Sequence, residues 1–427
     1  MADVVDELQE WLDEHWDPDL TVAEWWGRLG PAGWAAPSLP EHAFGKGLSR
    51  NDANRVAETI SDHGALPAPG GLGLLLAAPT IAMHGSQEQI DRYVGDIVTG
   101  RQAWCQLFSE PVAGSDLAGL QTRADQDGDE WIVNGQKVWT SGGHYADLGM
   151  LIARTNVDAP KHQGISYFAI EMHQPGVEIR PLREMTGRAL FNEVFMTDAR
   201  VADDALIGDR NSGWAVANAT LTFERVGLSS GSGHAATSAA LPGTVAGHLD
   251  RRAGDFVSNT RSRGGGAQFR GAARMLIDMA TAQGKVDDPT IRQDLMRLHT
   301  LSEIGRFSNL RLKAEKARGG DVPGIGNIGK LSMSDMMRLQ RDVGLRIVGA
   351  SGMLHAYEPE SKAALDAATG NPINGFVTEM ALFAQAPPIY GGTDQVQKNI
   401  IGERVLGLPK EPGPDRATPF RDLPKNA

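Results

Sequence analysis

Phe108-Ser109-Glu110-Pro111-Val112-Ala113-Gly114-Ser115-Asp116 opens the stretch 108–147, FSEPVAGSDLAGLQTRADQDGDEWIVNGQKVWTSGGHYAD, and Trp139-Thr140-Ser141-Gly142-Gly143 lies near its end. Two turns rich in glycine and small hydroxyls are carried on one β unit. Trp131-Ile132-Val133, Asn134-Gly135 and Lys137-Val138-Trp139 between them read as a hairpin with an Asn-Gly turn. Turns of this kind present backbone N–H groups and short hydroxyls to a phosphate or a flat polar ring.

The pattern changes on either side. From about 106 to 208, short β-branched and aromatic runs recur at Met150–Ala153, Ile165–Ile170, Val177–Ile179 and Glu193–Met196. Turns at Asp127-Gly128 and Pro175-Gly176 help to separate them, which argues for a barrel or a sandwich. Residues 1–105 read as helices with Pro/Gly breaks; Val4, Leu8, Trp11 and Leu12 share one helical face. From 209 to 408 the chain returns to helix, over Ile291–Ala317, Leu331–Val348 and Phe376–Ala384. Residues 242–270, with Arg251, Arg252, Arg261, Arg263 and three glycines, read as a basic, flexible insertion. The tail, 409–427, is Pro-rich and is expected to be ordered only by packing.

Bulk properties narrow the function. A chain of 427 residues with 41% hydrophobic and 22% charged residues has the composition of a globular protein with a sizeable core. A net charge of −12 disfavours nucleic acid or an anionic membrane as partner. The single cysteine, Cys105, excludes an internal disulfide and a zinc knuckle, and fits a reducing cytoplasm. The histidines show no metal-ligand spacing. No secretory signal is visible, and the longest apolar run, Gly71–Met83, is interrupted by Pro79 and too short to span a bilayer. Gly227-x-Ser229-x-Gly231 matches a nucleophile elbow but follows a helical stretch where a strand is required. Gly231–Ala236 resembles a dinucleotide fingerprint without the βαβ context.

A third motif lies near the C-terminus. Pro387-Pro388 breaks the chain before Ile389-Tyr390-Gly391-Gly392-Thr393-Asp394-Gln395-Val396-Gln397, where a new helix begins. Exposed N–H groups at a helix start suit an anion or a polar ring edge.

With SEPVAGSD, KVWTSGG and IYGGTDQVQKNIIGERVLG in this order, the chain resembles the acyl-CoA dehydrogenase flavoproteins. His84–Gln89, Leu39-Pro40-Glu41 and Phe44–Gly47 resemble that family's N-terminal segments, and the likeness runs from about 20 to 408. It implies an α+β fold: an N-terminal helical domain, a middle β-barrel and a C-terminal four-helix bundle, with FAD as cofactor. It further implies an acyl-CoA substrate, an electron-transfer flavoprotein as partner and a homo- or heterotetramer. By the same resemblance Gln106, Phe108, Ser109, Trp139, Thr140, Ser141, Gly349, Thr393 and Gln395 border the flavin. Ser115 lies near the CoA portion, and Arg225 and Tyr390 border the substrate.

The chain departs from the commoner family pattern at the base. Many members carry a glutamate directly after the motif tyrosine, where this chain has Gly391. A minority, including the isovaleryl-CoA type, place it on an earlier helix just before an arginine, as Glu224-Arg225 stand here. A mid-helix Glu-Arg pair is ordinarily a solvated face. Its coincidence with the glycine at 391 makes Glu224 the expected base. Gly391 keeps the backbone N–H that would polarise the thioester oxygen, and frees space for a branched or bulky acyl group. The arginine that commonly reaches a neighbouring subunit's FAD is missing from Ala282-Gln283-Gly284-Lys285, and Arg346 is expected to replace it. The resemblance implies α,β-dehydrogenation to the trans-2-enoyl-CoA. The alternative is a catalytically weak partner subunit of a heteromeric enzyme.

Overall fold

The computed structural model describes residues 3–229, 239–257, 265–370, 374–410, 412–413 and 417–424. The Gly231–Ala236 fingerprint, Arg261 and Arg263 lie outside them. Among the described residues six α-helices come first: α1 (Val4–His15), α2 (Val22–Leu29), α3 (Arg50–His63), α4 (Ala78–His84), α5 (Gln87–Gln89) and α6 (Gly95–Val98). Asp3 caps α1, and a reciprocal Thr21/Glu24 box caps α2. Leu8 and Leu12 of α1 and Trp25 and Trp26 of α2 are fully buried. The two indole N–H groups donate to Leu66 O at 2.7 Å and Pro67 O at 2.9 Å, so each ring is buried without an orphaned donor. At ordinary transfer values each ring contributes about 4–6 kcal/mol.

Seven strands follow: β1 (Trp104–Leu107), β2 (Arg123–Asp127), β3 (Glu130–Ser141), β4 (Leu148–Arg154), β5 (Ile165–Glu171), β6 (Val177–Leu182) and β7 (Phe191–Ala202). They form one curled sheet in the order β1-β4-β2-β3-β7-β6, with β5 paired to β4. The β1–β4 pair is parallel and places Gln106 opposite Met150.

The Asn134-Gly135 hairpin is corrected by the structure. The turn lies at Asp127-Gly128, closing β2 onto β3 with Asp127 opposite Glu130. β3 runs through Asn134-Gly135 without reversing, and its register against β7 shifts there. A β-carbon on Gly135 would lie 2.3 Å from Thr122 Oγ1 and 2.7 Å from Thr122 Cα. The glycine therefore lets another chain segment cross the strand closely; it does not serve a turn.

After the sheet come α7 (Gly213–Ser229), α8 (Gly265–Ala282), α9 (Pro289–Ala317), α10 (Ile325–Val348), α11 (Pro359–Thr369), α12 (Asn374–Phe383) and α13 (Asp394–Ile400). Ser229 is the last residue of α7, so the G-x-S-x-G match has helix, not strand, before its serine. Helices α8, α9, α10 and α12 bundle around Leu276, Ile291, Leu295, Leu298, Val343, Ile347 and Val377. Gly344 permits the close α10–α12 approach, since a β-carbon there would sit 3.0 Å from Val377 Cγ1.

Two segments read as loose are docked where described. Val22 N–H donates to Arg251 O and Ala23 N–H to Leu249 O, both at 2.9 Å, and Arg252 pairs with Asp19. Residues 239–257 are thus tied to the N-terminal helices, and α8 already begins at Gly265. In the tail, Phe420 N–H donates to Ala159 O and Arg421 N–H to Val157 O, each at 3.0 Å, and the Phe420 ring lies 3.6 Å from the Arg154 guanidinium. No helix of the described residues is long and apolar enough to cross a membrane.

Candidate active site

The loop after β1 is held by a buried charge pair. Glu110 accepts from Gln121 N–H at 2.6 Å, Thr122 N–H at 2.9 Å and Lys137 Nζ at 2.8 Å, and Lys137 Nζ also donates to Phe108 O at 3.1 Å. Burial pushes the Glu110 carboxyl up, but the Lys137 charge and these donors outweigh it and hold it below the ordinary carboxylate range. Burial lowers the Lys137 ammonium, against the attraction of Glu110. Neither was singled out as a pair in the sequence, because they are 27 positions apart. With the loop fixed, Val138 N–H donates to Ser109 O at 2.9 Å, and Phe108 is buried edge-on against Tyr167. Ser115 is exposed at the loop tip. Its neighbour Asp116 pairs with Lys161 at 2.6 Å and lines, with Gly119, Phe420 and Arg421, a cavity of about 200 Å³.

Trp139 has φ of 62°, left-handed for a bulky residue, at a second register shift between Lys137 and Thr140. Such a conformation costs on the order of 1–3 kcal/mol and tends to mark function. Here it turns the indole out of the sheet. Trp139 is 61% exposed, with Phe191 edge-on at 5.8 Å. Beneath it Thr140 and Asn192 are fully buried, and Asn192 Nδ2 donates to Thr140 O at 3.0 Å. Thr140 Oγ1 and Asn192 Oδ1 have no hydrogen-bond partner among the described residues. A displayed flat ring beside two orphaned polar atoms fits a planar heterocycle with a polar edge, as a flavin has.

Helix α7 carries Glu224 to this sheet. Thr220 anchors it, with its hydroxyl 3.0 Å from Thr80 Oγ1 and 3.4 Å from the Tyr167 hydroxyl. Burial raises the Glu224 carboxyl above its ordinary value, while a hydrogen bond with Gln106 and the charge of Arg225 pull the other way. Arg225 donates to Thr222 Oγ1 at 3.1 Å, and its charge is opposed by Arg404 of the C-terminal motif. The structure therefore brings Gln106, Glu224, Arg225 and the end of that motif together.

In the motif itself Gly391 has φ of 61° and Gly392 of 82°. Gln397 Nε2 donates to both carbonyls, at 3.0 and 3.3 Å, and Thr393 Oγ1 caps α13 by accepting from Val396 N–H at 3.1 Å. Asp394 is fixed by Ser334 at 2.8 Å, Lys330 at 3.3 Å and Arg338 at 2.5 Å. Tyr390 is half-buried, its hydroxyl pushed up by burial, and Gln395 is exposed.

Arg346 and Gly349 do not join this group within one chain. Arg346 lies sixteen residues along α10 from Lys330, roughly 24 Å at the helical rise. There it pairs with Asp294 of α9, while Lys285 donates to Ile347 O at 2.5 Å and lies near Gly349. Among residues not singled out in the sequence, Asn192 adjoins Thr140 and Trp104 stands two residues before Gln106 on β1. Period-two alternation gives a signal for the latter, since Trp104 and Gln106 share one face of β1.

Comparisons with known proteins bear on the family and the fold. Residues 2–101, 105–199 and 262–406 match the family models "Acyl-CoA dehydrogenase, N-terminal domain", "middle domain" and "C-terminal domain". Acyl-CoA dehydrogenase IpdE1 of Mycobacterium tuberculosis is 34% identical over 393 residues, covering 91% of this chain and 88% of that protein. Acyl-CoA dehydrogenase FadE34 of the same organism is 38% identical, covering 90% of this chain and 46% of that one. Among solved structures, the ChsE4–ChsE5 complex from Mycobacterium tuberculosis superposes with a TM-score of 0.67 at 25% identity, over 96% of this chain and 97% of that one. With its helical, curled-sheet and helical parts in this order, the chain belongs to the acyl-CoA dehydrogenase family and is an oxidoreductase of that type.

Proposed function

We propose that the protein dehydrogenates an acyl-CoA thioester between its α and β carbons, giving the trans-2-enoyl-CoA, with FAD as cofactor. The observation that carries this reading is Glu224, half-buried, its carboxyl raised above the ordinary value by desolvation and hydrogen-bonded to Gln106. A raised carboxyl is a stronger base once ionised, which suits removal of an α-proton. Gly391 N–H would polarise the thioester oxygen as negative charge gathers there. Trp139, Thr140 and Ser141 would hold the isoalloxazine, and Thr393 and Gln395 the adenine side. Bound FAD would supply the acceptor for the β-hydrogen as hydride, with an electron-transfer flavoprotein as the partner for the two electrons, while Glu224 would hold the α-proton. The missing side chain at 391 favours a branched or bulky acyl group.

The test is to mix the flavin-loaded protein with straight, branched and ring-bearing acyl-CoAs and follow flavin bleaching, with Glu224→Gln as control. Full bleaching by that variant removes Glu224 from the mechanism.

A second reading, a helper subunit in a heteromer, is supported by the placement of Arg346 and Gly349 toward the end of α10 away from Lys330, which holds Asp394 of the C-terminal motif, and by the two-component ChsE4–ChsE5 relative. Homo- and heterotetramers both agree with the apolar stripe that α9 leaves exposed at Ile304, Phe307 and Leu310. A single chain that purifies colourless and monomeric supports the helper reading; a yellow oligomer supports the complete enzyme.

A further inference from the structure

Beside the groups assigned so far lies a small cavity lined by Gly71, Gly73, Gln102, Trp104, Tyr145 and Pro242 among others. Its volume is about 10 Å³, room for a single oxygen-sized group. Two of its lining residues each carry a buried polar atom without a hydrogen-bond partner among the described residues, Gln102 Oε1 and Trp104 Nε1, and Trp104 is only 3% exposed. Buried polar groups are nearly always paired, so an orphaned donor and an orphaned acceptor lining one void mark a place for a missing partner.

Its location ties it to the reaction. Trp104 and Gln106 are two apart on β1 and face the same side, roughly 7 Å from each other. Gln106 is the residue bonded to Glu224. The void therefore lies about one strand repeat along β1 from the residue bonded to that carboxyl. Gly73 helps to keep it open, since a β-carbon there would come within 3.3 Å of Trp104 Cδ1, the atom next to the indole N–H. Pro242 places part of the 239–257 segment on its wall.

We propose that Gln102 and Trp104 form a polar subsite at the far end of the acyl pocket that receives a hydroxyl group on the acyl chain. A hydroxyl satisfies both orphans, accepting from Trp104 Nε1–H and donating to Gln102 Oε1; a carbonyl satisfies only the first. The substrate class is then a distally hydroxylated acyl-CoA, not a plain hydrocarbon one. This rests on the acyl-CoA reading above.

The experiment compares two acyl-CoAs of one carbon skeleton, with and without the distal hydroxyl, and a third with a ketone there, on the flavin-loaded protein. The expected result is a kcat/KM about 10-fold or more higher for the hydroxylated member, because a site built to bond a hydroxyl rejects the analogue without it. Trp104→Phe and, independently, Gln102→Leu should collapse that ratio toward one, with flavin absorbance reporting that each variant holds its site. Equal kcat/KM across the series overturns the subsite and leaves the void to water. A ratio untouched by both variants overturns the assignment to these residues, and preference for the ketone overturns the hydroxyl. If no member bleaches the flavin, the acyl-CoA reading itself fails.

Discussion

The curled sheet and the helical half behind it bury their side chains in different ways. β4 is buried at all seven positions, and the Lys137–Glu110 ion pair beside it is enclosed, with its side chains 0% and 3% exposed. By contrast α9 runs for 29 residues and buries Ile291, Leu295 and Leu298 near its start, while Ile304, Phe307 and Leu310 further along are about half exposed. The sheet is finished by its own chain. The helical half carries apolar surface that the described residues do not cover, which is where an assembly would complete it.

The most severe way to break the comparison is at the helix that joins the two regions. Glu224→Gln on α7 should slow flavin bleaching by acyl-CoA by about 10²–10⁴-fold, because a positioned base contributes on that order. The pH profile sharpens this. Burial raises the Glu224 carboxyl, so activity should rise with pH through a value above the ordinary 4.5 and be lost as pH falls through it. A wild-type rate that stays flat across that window assigns the proton to another group.

Next in size is the closed interior of the sheet. Lys137→Met leaves Glu110 buried and unpaired, which should cost about 3–5 kcal/mol in chemical denaturation. Adding Glu110→Gln should recover part of it. Since the folded carboxyl lies below its unfolded value, the pair's stabilisation is present above the ordinary range and is lost as pH falls through the folded pKa. A stability unchanged by Lys137→Met would show that this interior tolerates a lone charge.

Smaller effects test the open half. Phe307→Asp should lower the mass seen by sedimentation while changing the stability of the separated chain by only about 0.5 kcal/mol. An unchanged mass means the α9 stripe is not an interface. Arg346→Ala should weaken FAD binding several-fold in a titration if Arg346 serves a neighbouring subunit's cofactor; unchanged affinity ends that idea. At the tail, Phe420→Ala removes the ring under Arg154 and should cost only about 0.5 kcal/mol in chemical denaturation, with no change in mass or FAD affinity.

The sequence was most readable where a turn carries its own chemistry. Thr393 caps α13 as the Gly-Gly-Thr motif predicted, and the strands at 148–154, 165–171 and 191–202 enclose the apolar runs that marked them. Reading failed where a distant residue decides a local feature. Asn134-Gly135 carries a hairpin signal, yet Thr122 crosses at the glycine and makes it a bulge. The arginines at 251 and 252 suggested a loose loop, but Asp19 and the backbone of Val22 and Ala23 dock it. At the site Gln106 and Glu224 were each legible from their motifs, whereas their contact, and the void beside Trp104, depend on how α7 and the Gly73–Ala77 turn lie on the sheet.

The outward turn of Trp139 has an optical consequence. The chain has nine tryptophans, and Trp25, Trp26, Trp34, Trp104 and Trp131 are shut inside, while Trp139 alone among the described ones is a large exposed apolar side chain. An exposed indole emits to the red of buried ones. A flavin stacked on it would drain that emission by energy transfer and leave the blue-shifted light of the interior rings. The residue with the left-handed backbone at the edge of the sheet would thus report, in its own fluorescence, whether a flavin had bound there.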